Sequence, residues 1–171
     1  MTRSFDWIAH HANTRPSGIA QIDLATDRTF TWAQMEDRTS RLAAALEHDS
    51  GIGPEDRVAV LAQNNSNFFE VQFACWKLGA IFVPVNWRLT LSELTFIAGD
   101  CTPKVIVHDH GFSAMAKDLA AATSIAHRIN WDGDDDGAAN YEDAIASAVA
   151  GNYSANDNTL DTVLTIMYTS G

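Results

Sequence analysis

The chain has 171 residues, 46% of them hydrophobic, which suits one compact domain with its own core and excludes a disordered chain. Its 22 acidic residues outnumber the 11 basic ones, giving a formal net charge of −11, a field that opposes nucleic acid and anionic membrane surfaces as partners. No apolar run approaches the roughly 18–20 residues of a membrane helix, and the stretch Met1 to His11 has neither the apolar core nor the cleavage site of a signal peptide.

Ile19 to Leu24 alternates in polarity, and Thr29-Phe-Thr-Trp32 follows a turn near Asp27, which predicts a short hairpin. Thr31-x-x-Gln34 is a capping box, and Phe30 and Met35 stand at the positions of a hydrophobic staple. The helix it opens carries Met35, Leu42 and Leu46 on one face and should end at His48-Asp-Ser-Gly51. Arg57 to Ala62 reads as an apolar strand. Asn67 to Leu78 reads as a helix closed by Gly79, apolar around most of its circumference and therefore expected to be buried.

Ala80 to Val85 is the next strand, with Pro84 near its end. Thr90-x-x-Glu93, flanked by Leu89 and Leu94, is a second capping box for a helix running to about Gly99. Lys104 to His108 is a strand, Phe112 to Ala122 a helix, Ile125 to Ile129 a strand, and Tyr141 to Val149 a helix. Thr162 to Tyr168 is the last expected strand. Strands and helices that alternate in this way predict an α/β fold with a mainly parallel sheet flanked by helices.

The end of that last strand is the most informative position. Thr169, Ser170 and Gly171 begin a small, hydroxyl-bearing turn beyond the carboxyl end of a strand, where ligands of α/β sheets sit. Small residues let backbone amides approach phosphate oxygens. By themselves the three residues favour an ordinary turn, with a phosphate-binding turn as the alternative. A chain seldom ends on the first residues of such a loop, so a longer parent protein is expected.

Other candidates have plainer readings. Asp132-x-Asp134-x-Asp136-Gly137 matches the first half of a calcium loop, but Asp143 stands where its bidentate Glu belongs, so a solvated acidic loop is expected. His108 and His110 could offer two imidazoles to a metal, yet no third ligand is near in sequence, and solvated histidines at a strand end are the expectation. His10-His11 is weaker still. No metal site is expected. Phe68, Phe69, Phe73 and Trp76 read as core packing. Cys75 and Cys101 lie outside any Cys-x-x-Cys pair and read as buried free thiols in a reducing cytoplasm. Gly-x-Ser-x-Gly, Walker and Gly-x-Gly-x-x-Gly motifs are absent.

Phe30-Thr-Trp-Ala-Gln-Met35, Val58 to Asn64 with Phe69-Glu70, the run from Trp76 to Val107, and Ile166-Met-Tyr-Thr-Ser-Gly171 come in an order and spacing that resemble adenylate-forming, AMP-binding enzymes. Asn86-Trp-Arg-Leu-Thr90 after Val-Pro-Val resembles the fatty acyl-CoA synthetase branch. The resemblance implies that residues 1–171 form the N-terminal α/β subdomain of a ligase cut at its phosphate loop. It implies ATP, Mg²⁺ and CoA as cofactors of the parent enzyme, a small-molecule carboxylate as substrate, and Thr169, Ser170 and Gly171 as the matched phosphate-loop residues. It implies no catalytic residue in this chain, because the loop's Lys and the catalytic Lys would lie beyond Gly171. The chain alone is therefore expected to bind none of these cofactors and to be inactive. A homodimer is possible on family grounds. Two readings compete: a complete, non-catalytic binding or dimerisation module, and a calcium-responsive domain.

Overall fold

The computed structural model describes residues 5–133, 137–151, 153 and 158–169. A short helix α1 (Trp7–Thr14) precedes an antiparallel hairpin of β1 (Ile19–Asp23) and β2 (Arg28–Thr31). The long helix α2 (Trp32–Ser50) follows, then β3 (Arg57–Leu61), α3 (Ser66–Leu78) and β4 (Ile81–Pro84). The chain continues through α4 (Leu91–Cys101), β5 (Val105–His108), a 3-10 turn at His110–Phe112, α5 (Ser113–Ala122) and β6 (His127–Asn130). Then come β7 (Ala139–Asn140) and α6 (Tyr141–Ser147).

Five strands pair in the order β4-β3-β5-β6-β7, each pair parallel, so the expected α/β architecture is the observed one. Alternation along the strands divides the core. Val58, Val60, Val105 and Val107 face α2, α3 and α6, whereas Ala59, Leu61 and Ile106 face α4 and α5. Both sheet faces are covered, which is why these strands read as continuous apolar runs.

Local signals place most element ends. Both capping boxes form, with Thr31 and Gln34 opening α2 and Thr90 and Glu93 opening α4. Gly51 and Gly79 close α2 and α3 at φ 62° and 67°, the left-handed geometry that glycine adopts without strain. Phe30, instead of being swallowed by the core, packs against the guanidinium groups of Arg28 and Arg38 at 5.3 and 5.4 Å.

Three expectations need correction. α3 does not bury its apolar surface all round: Phe69 is 54% exposed, while Glu70 and Lys77 are sealed inside. Seven residues apart, those two share the helix face that meets α2. Glu70 accepts from Nε and Nη2 of Arg38 (2.7 and 2.9 Å) and from the hydroxyl of Tyr141 (2.8 Å). Lys77 donates to Asp6 and to both oxygens of Glu36, each at 2.8 Å. Second, His108 is fully buried, because the strand alternation puts it on the inward face that holds Ile106. Third, the strand expected over Thr162–Tyr168 is an extended segment joined to β4 through one parallel bridge, Phe82 to Thr165. Neither α1 nor β7 was expected.

Candidate functional site

The carboxyl ends of the parallel strands form one rim of the sheet, and two recesses open there. The first lies at the edge. Phe82 of β4 donates its N–H to Leu164 O (3.0 Å) and accepts from Ile166 N (3.1 Å), which lays residues 164–166 along the free side of β4. Asn158 anchors the approach by donating to Trp76 O at 2.6 Å. Two residues past Ile166, Tyr168 donates its hydroxyl to Asp100 Oδ2 at 2.6 Å. Burial and that carboxylate push the phenol of Tyr168 well above its ordinary range.

Thr169 comes next and is exposed. It lines a cavity of about 510 Å³ with Asn86, Leu89, Ser92, Glu93, Phe96, Ile97 and Tyr168. Asn86 lies two residues past β4, so Thr169 and Asn86 stand beyond the ends of adjacent parallel segments. The carboxyl of Glu93 is held below its ordinary range by the N–H and hydroxyl of Thr90, the pair that caps α4. A hydroxyl, an amide and exposed backbone at the end of a strand can donate to an anionic oxygen. Ser170 and Gly171 lie outside the described residues, so of the three expected site residues the structure locates Thr169.

The second recess, about 490 Å³, lies at the topological switch point, where connections leave β3 for β4 on one side and reach β5 on the other. Gln63 and Asn64 follow β3, Asp109 follows β5, and Trp131 and Asp132 follow β6. Gln63 N donates to Asp109 Oδ2 at 3.2 Å, and His110 N donates to Asp132. Burial, with Asp132 alongside, pushes the Asp109 carboxyl above its usual range. Asp23 and Glu142 also line this recess, and among the described residues that line it Arg28 is the only cation.

The remaining candidates separate. His108 is buried and its Nδ1 lies 3.0 Å from Asp109 O, whereas His110 begins an exposed turn, so the two rings do not share a solvated strand end. His10 and His11 stack among rings, His11 lying 4.5 Å from Trp32. Among the described residues no group of three or more His, Cys, Asp or Glu side chains could hold a metal ion. Asp134 and Asp136 of the acidic loop lie outside the described residues. Cys75 and Cys101 are free and buried, and burial pushes the Cys75 thiol up to about 12. No helix among the described residues is long and apolar enough to cross a membrane. Tyr168 and Asp100 had no sequence signal as a pair, since 68 residues separate them.

Residues 8–171 match the protein family described as AMP-binding enzyme. A long-chain-fatty-acid–CoA ligase, FadD13 of Mycobacterium tuberculosis, is 32% identical over 171 residues, covering 99% of this chain and 33% of that protein. An indoleacetate–CoA ligase of Aromatoleum aromaticum is 32% identical over 168 residues, covering 97% of this chain and 32% of that protein. Among solved structures, the N-terminal domain of FACL13 from Mycobacterium tuberculosis superimposes with a TM-score of 0.84 at 30% identity, over 95% of this chain and 40% of that one. The chain thus spans about a third of the length of these curated relatives.

Proposed function

Because the chain belongs to the AMP-binding enzyme family, we propose that it is the N-terminal part of an ATP-dependent carboxylate–CoA ligase. The observation that most supports this reading is Thr169, exposed at the end of the segment beside β4 and opening on a cavity. In the reaction, a carboxylate oxygen attacks the α-phosphorus of ATP, the bond to pyrophosphate breaks, and an acyl-adenylate forms. The thiol of CoA, losing its proton, then attacks the acyl carbon and AMP leaves.

This chain's contribution is to hold phosphate. Thr169, and with it Ser170 and Gly171, would present hydroxyls and backbone amides to phosphate oxygens. Mg²⁺ bound with ATP would neutralise phosphate charge. The finer reading is a fatty acid as the carboxylate, supported by the likeness to the long-chain-fatty-acid ligase, with the equally similar indoleacetate ligase marking aryl acids as the contrast. A cytoplasmic location is supported by the two buried free thiols.

Exposed apolar side chains, one of them (Phe96) lining the edge recess and three on the stretch that leads to Thr169, support a larger parent protein. Phe96, Leu160, Val163 and Met167 are 76, 73, 56 and 67% exposed. Surface of that kind is usually covered. On this reading the 171-residue chain alone makes no adenylate. ATP–pyrophosphate exchange by the protein that carries this sequence, screened against fatty and aryl carboxylates, tests the proposal. Exchange with no carboxylate, or turnover by the isolated chain, would contradict it.

A further inference from the structure

The segment that reaches Thr169 is held at two points, and the sheet supplies only the first. Phe82 fixes Leu164 and Ile166 through backbone bonds. Beyond Ile166 the anchor is a side chain, the hydroxyl of Tyr168, which donates to Asp100 Oδ2 at 2.6 Å and also lies against the Cys101 thiol in the same turn of α4. Asp100 sits in the last turn of α4, and that turn is itself tied to the sheet. Arg57, the first residue of β3, donates through Nε to Cys101 O at 2.6 Å and reaches Thr102 with its guanidinium. At its other end α4 is fixed by the Thr90–Glu93 capping box. A chain of bonds thus runs from β3 through Arg57 and the end of α4 to the residue immediately before Thr169.

We propose that Tyr168 is a positioning residue: its hydroxyl, bonded to Asp100, sets the direction in which the chain leaves β4 and so presents Thr169 to the phosphates of ATP. The inference rests on the ligase reading above. Tyr168 suits the task because its ring also packs on the α4/α5 side of the core, so the hydroxyl is carried on a seated side chain. A phenol is a donor throughout the neutral range, and burial and the Asp100 carboxylate push its pKa higher still. Without the bond, the sheet alone would hold the segment only as far as Ile166, and Thr169 would sample several directions.

Tyr168→Phe keeps the ring and removes the donor. In the intact protein that carries this sequence, it should raise KM for ATP in pyrophosphate exchange by about three- to tenfold, the span of one net hydrogen bond, with kcat changed much less. Asp100→Ala should do the same. Asp100→Asn keeps an acceptor oxygen and should stay within roughly two- to threefold of the parent. The double variant Tyr168→Phe/Asp100→Ala should be no worse than either single one, because both remove the same bond. Additive losses, a fall in kcat at unchanged KM, a silent Asp100→Ala, or losses that track lower thermal stability would each overturn the proposal. Amide hydrogen exchange over residues 166–169 gives a readout independent of catalysis. Faster exchange in Tyr168→Phe and Asp100→Ala supports the tether, and unchanged exchange refutes it. An intact protein with no exchange activity would sink the ligase reading, while the amide measurement would still decide the tether.

Discussion

Removing Lys77 should destabilise this domain more than any surface change. Its side chain is 0% exposed, and its ammonium donates to Asp6 Oδ2 and to both oxygens of Glu36, each at 2.8 Å. Lys77→Met retains the apolar stem and deletes the charge, leaving two carboxylates facing one another. Breaking a buried pair from one side costs about 3–5 kcal/mol. Two features reduce that here. The Glu36 side chain is 26% exposed and can turn toward water, and Asp6 caps an eight-residue helix, α1, that can swing outward. The expected loss is therefore about 2–4 kcal/mol, or roughly 4–16 °C in Tm for a domain of this length. Urea unfolding followed by tryptophan fluorescence measures it, and Trp7 within α1 reports whether that helix leaves first. Lys77→Met combined with Asp6→Asn and Glu36→Gln removes every charge and keeps a capping oxygen, so it should recover at least half of the loss. A single variant within about 0.5 kcal/mol of the parent, or a triple variant no better than the single one, would refute the reasoning.

Gly51→Ala and Gly79→Ala form a second test, since both glycines cap helices at positive φ, where an added Cβ costs about 1–2 kcal/mol. At Gly51 that Cβ meets nothing within 4 Å, but at Gly79 it comes 3.1 Å from Asn158 Oδ1, so urea titration should rank Gly79→Ala as the more damaging. Asp23 accepts the Ser66 hydroxyl at 2.6 Å, and that bond holds its carboxyl well below the usual range. A depressed folded pKa adds stability above the unfolded value, about 4, which is lost as pH falls through the folded one. Ser66→Ala should therefore flatten the acid limb of stability against pH, as urea midpoints in acid would record, and an unchanged limb would count against the assignment. Cys75 and Cys101, both buried, should resist a thiol reagent at mildly alkaline pH in the folded protein and react fully once it is unfolded in guanidinium.

What was legible in the sequence was written in neighbouring residues. Thr31 and Gln34, Thr90 and Glu93, and the glycines at 51 and 79 specify their helix ends within one turn, and those ends are where the chain predicts them. The β3-α3-β4 alternation likewise follows from runs of apolar residues. The interior of α3 was not legible, because the partners that make Glu70 and Lys77 burial-competent lie 32 and 41 residues before them, at Arg38 and Glu36. A periodicity argument sees charge and assigns it to water. His108 was misread for the same reason: its burial depends on α4 and α5 covering that face of the sheet. The segment before Thr169 reads as a full strand by composition, but its neighbour on one side is β4, and no described strand pairs with the other.

On the proposed reading, topology alone would choose the wrong one of the two recesses on the sheet rim for phosphate. Open parallel sheets bind ligands at the switch point, which here is the recess between the ends of β3 and β5. That recess is walled by Asp23, Asp109, Asp132 and Glu142 against a single Arg28, on a chain that already carries a net charge of −11. Asp23 and Glu142 have Arg28 near them, at 3.8 and 3.6 Å, but Asp109 and Asp132 face each other without such relief. A triphosphate there would add like charge beside two neighbouring carboxylates whose described partners, Gln63 N and His110 N, are uncharged. The edge recess contains one carboxylate, Glu93, and its charge is occupied by the Thr90 cap. On the proposed reading, then, ATP belongs at the edge because electrostatics overrules the strand-order preference. The consequence is measurable. Asp109→Asn should leave the affinity for ATP unchanged, and a large gain or loss on that substitution would move the nucleotide back to the switch point.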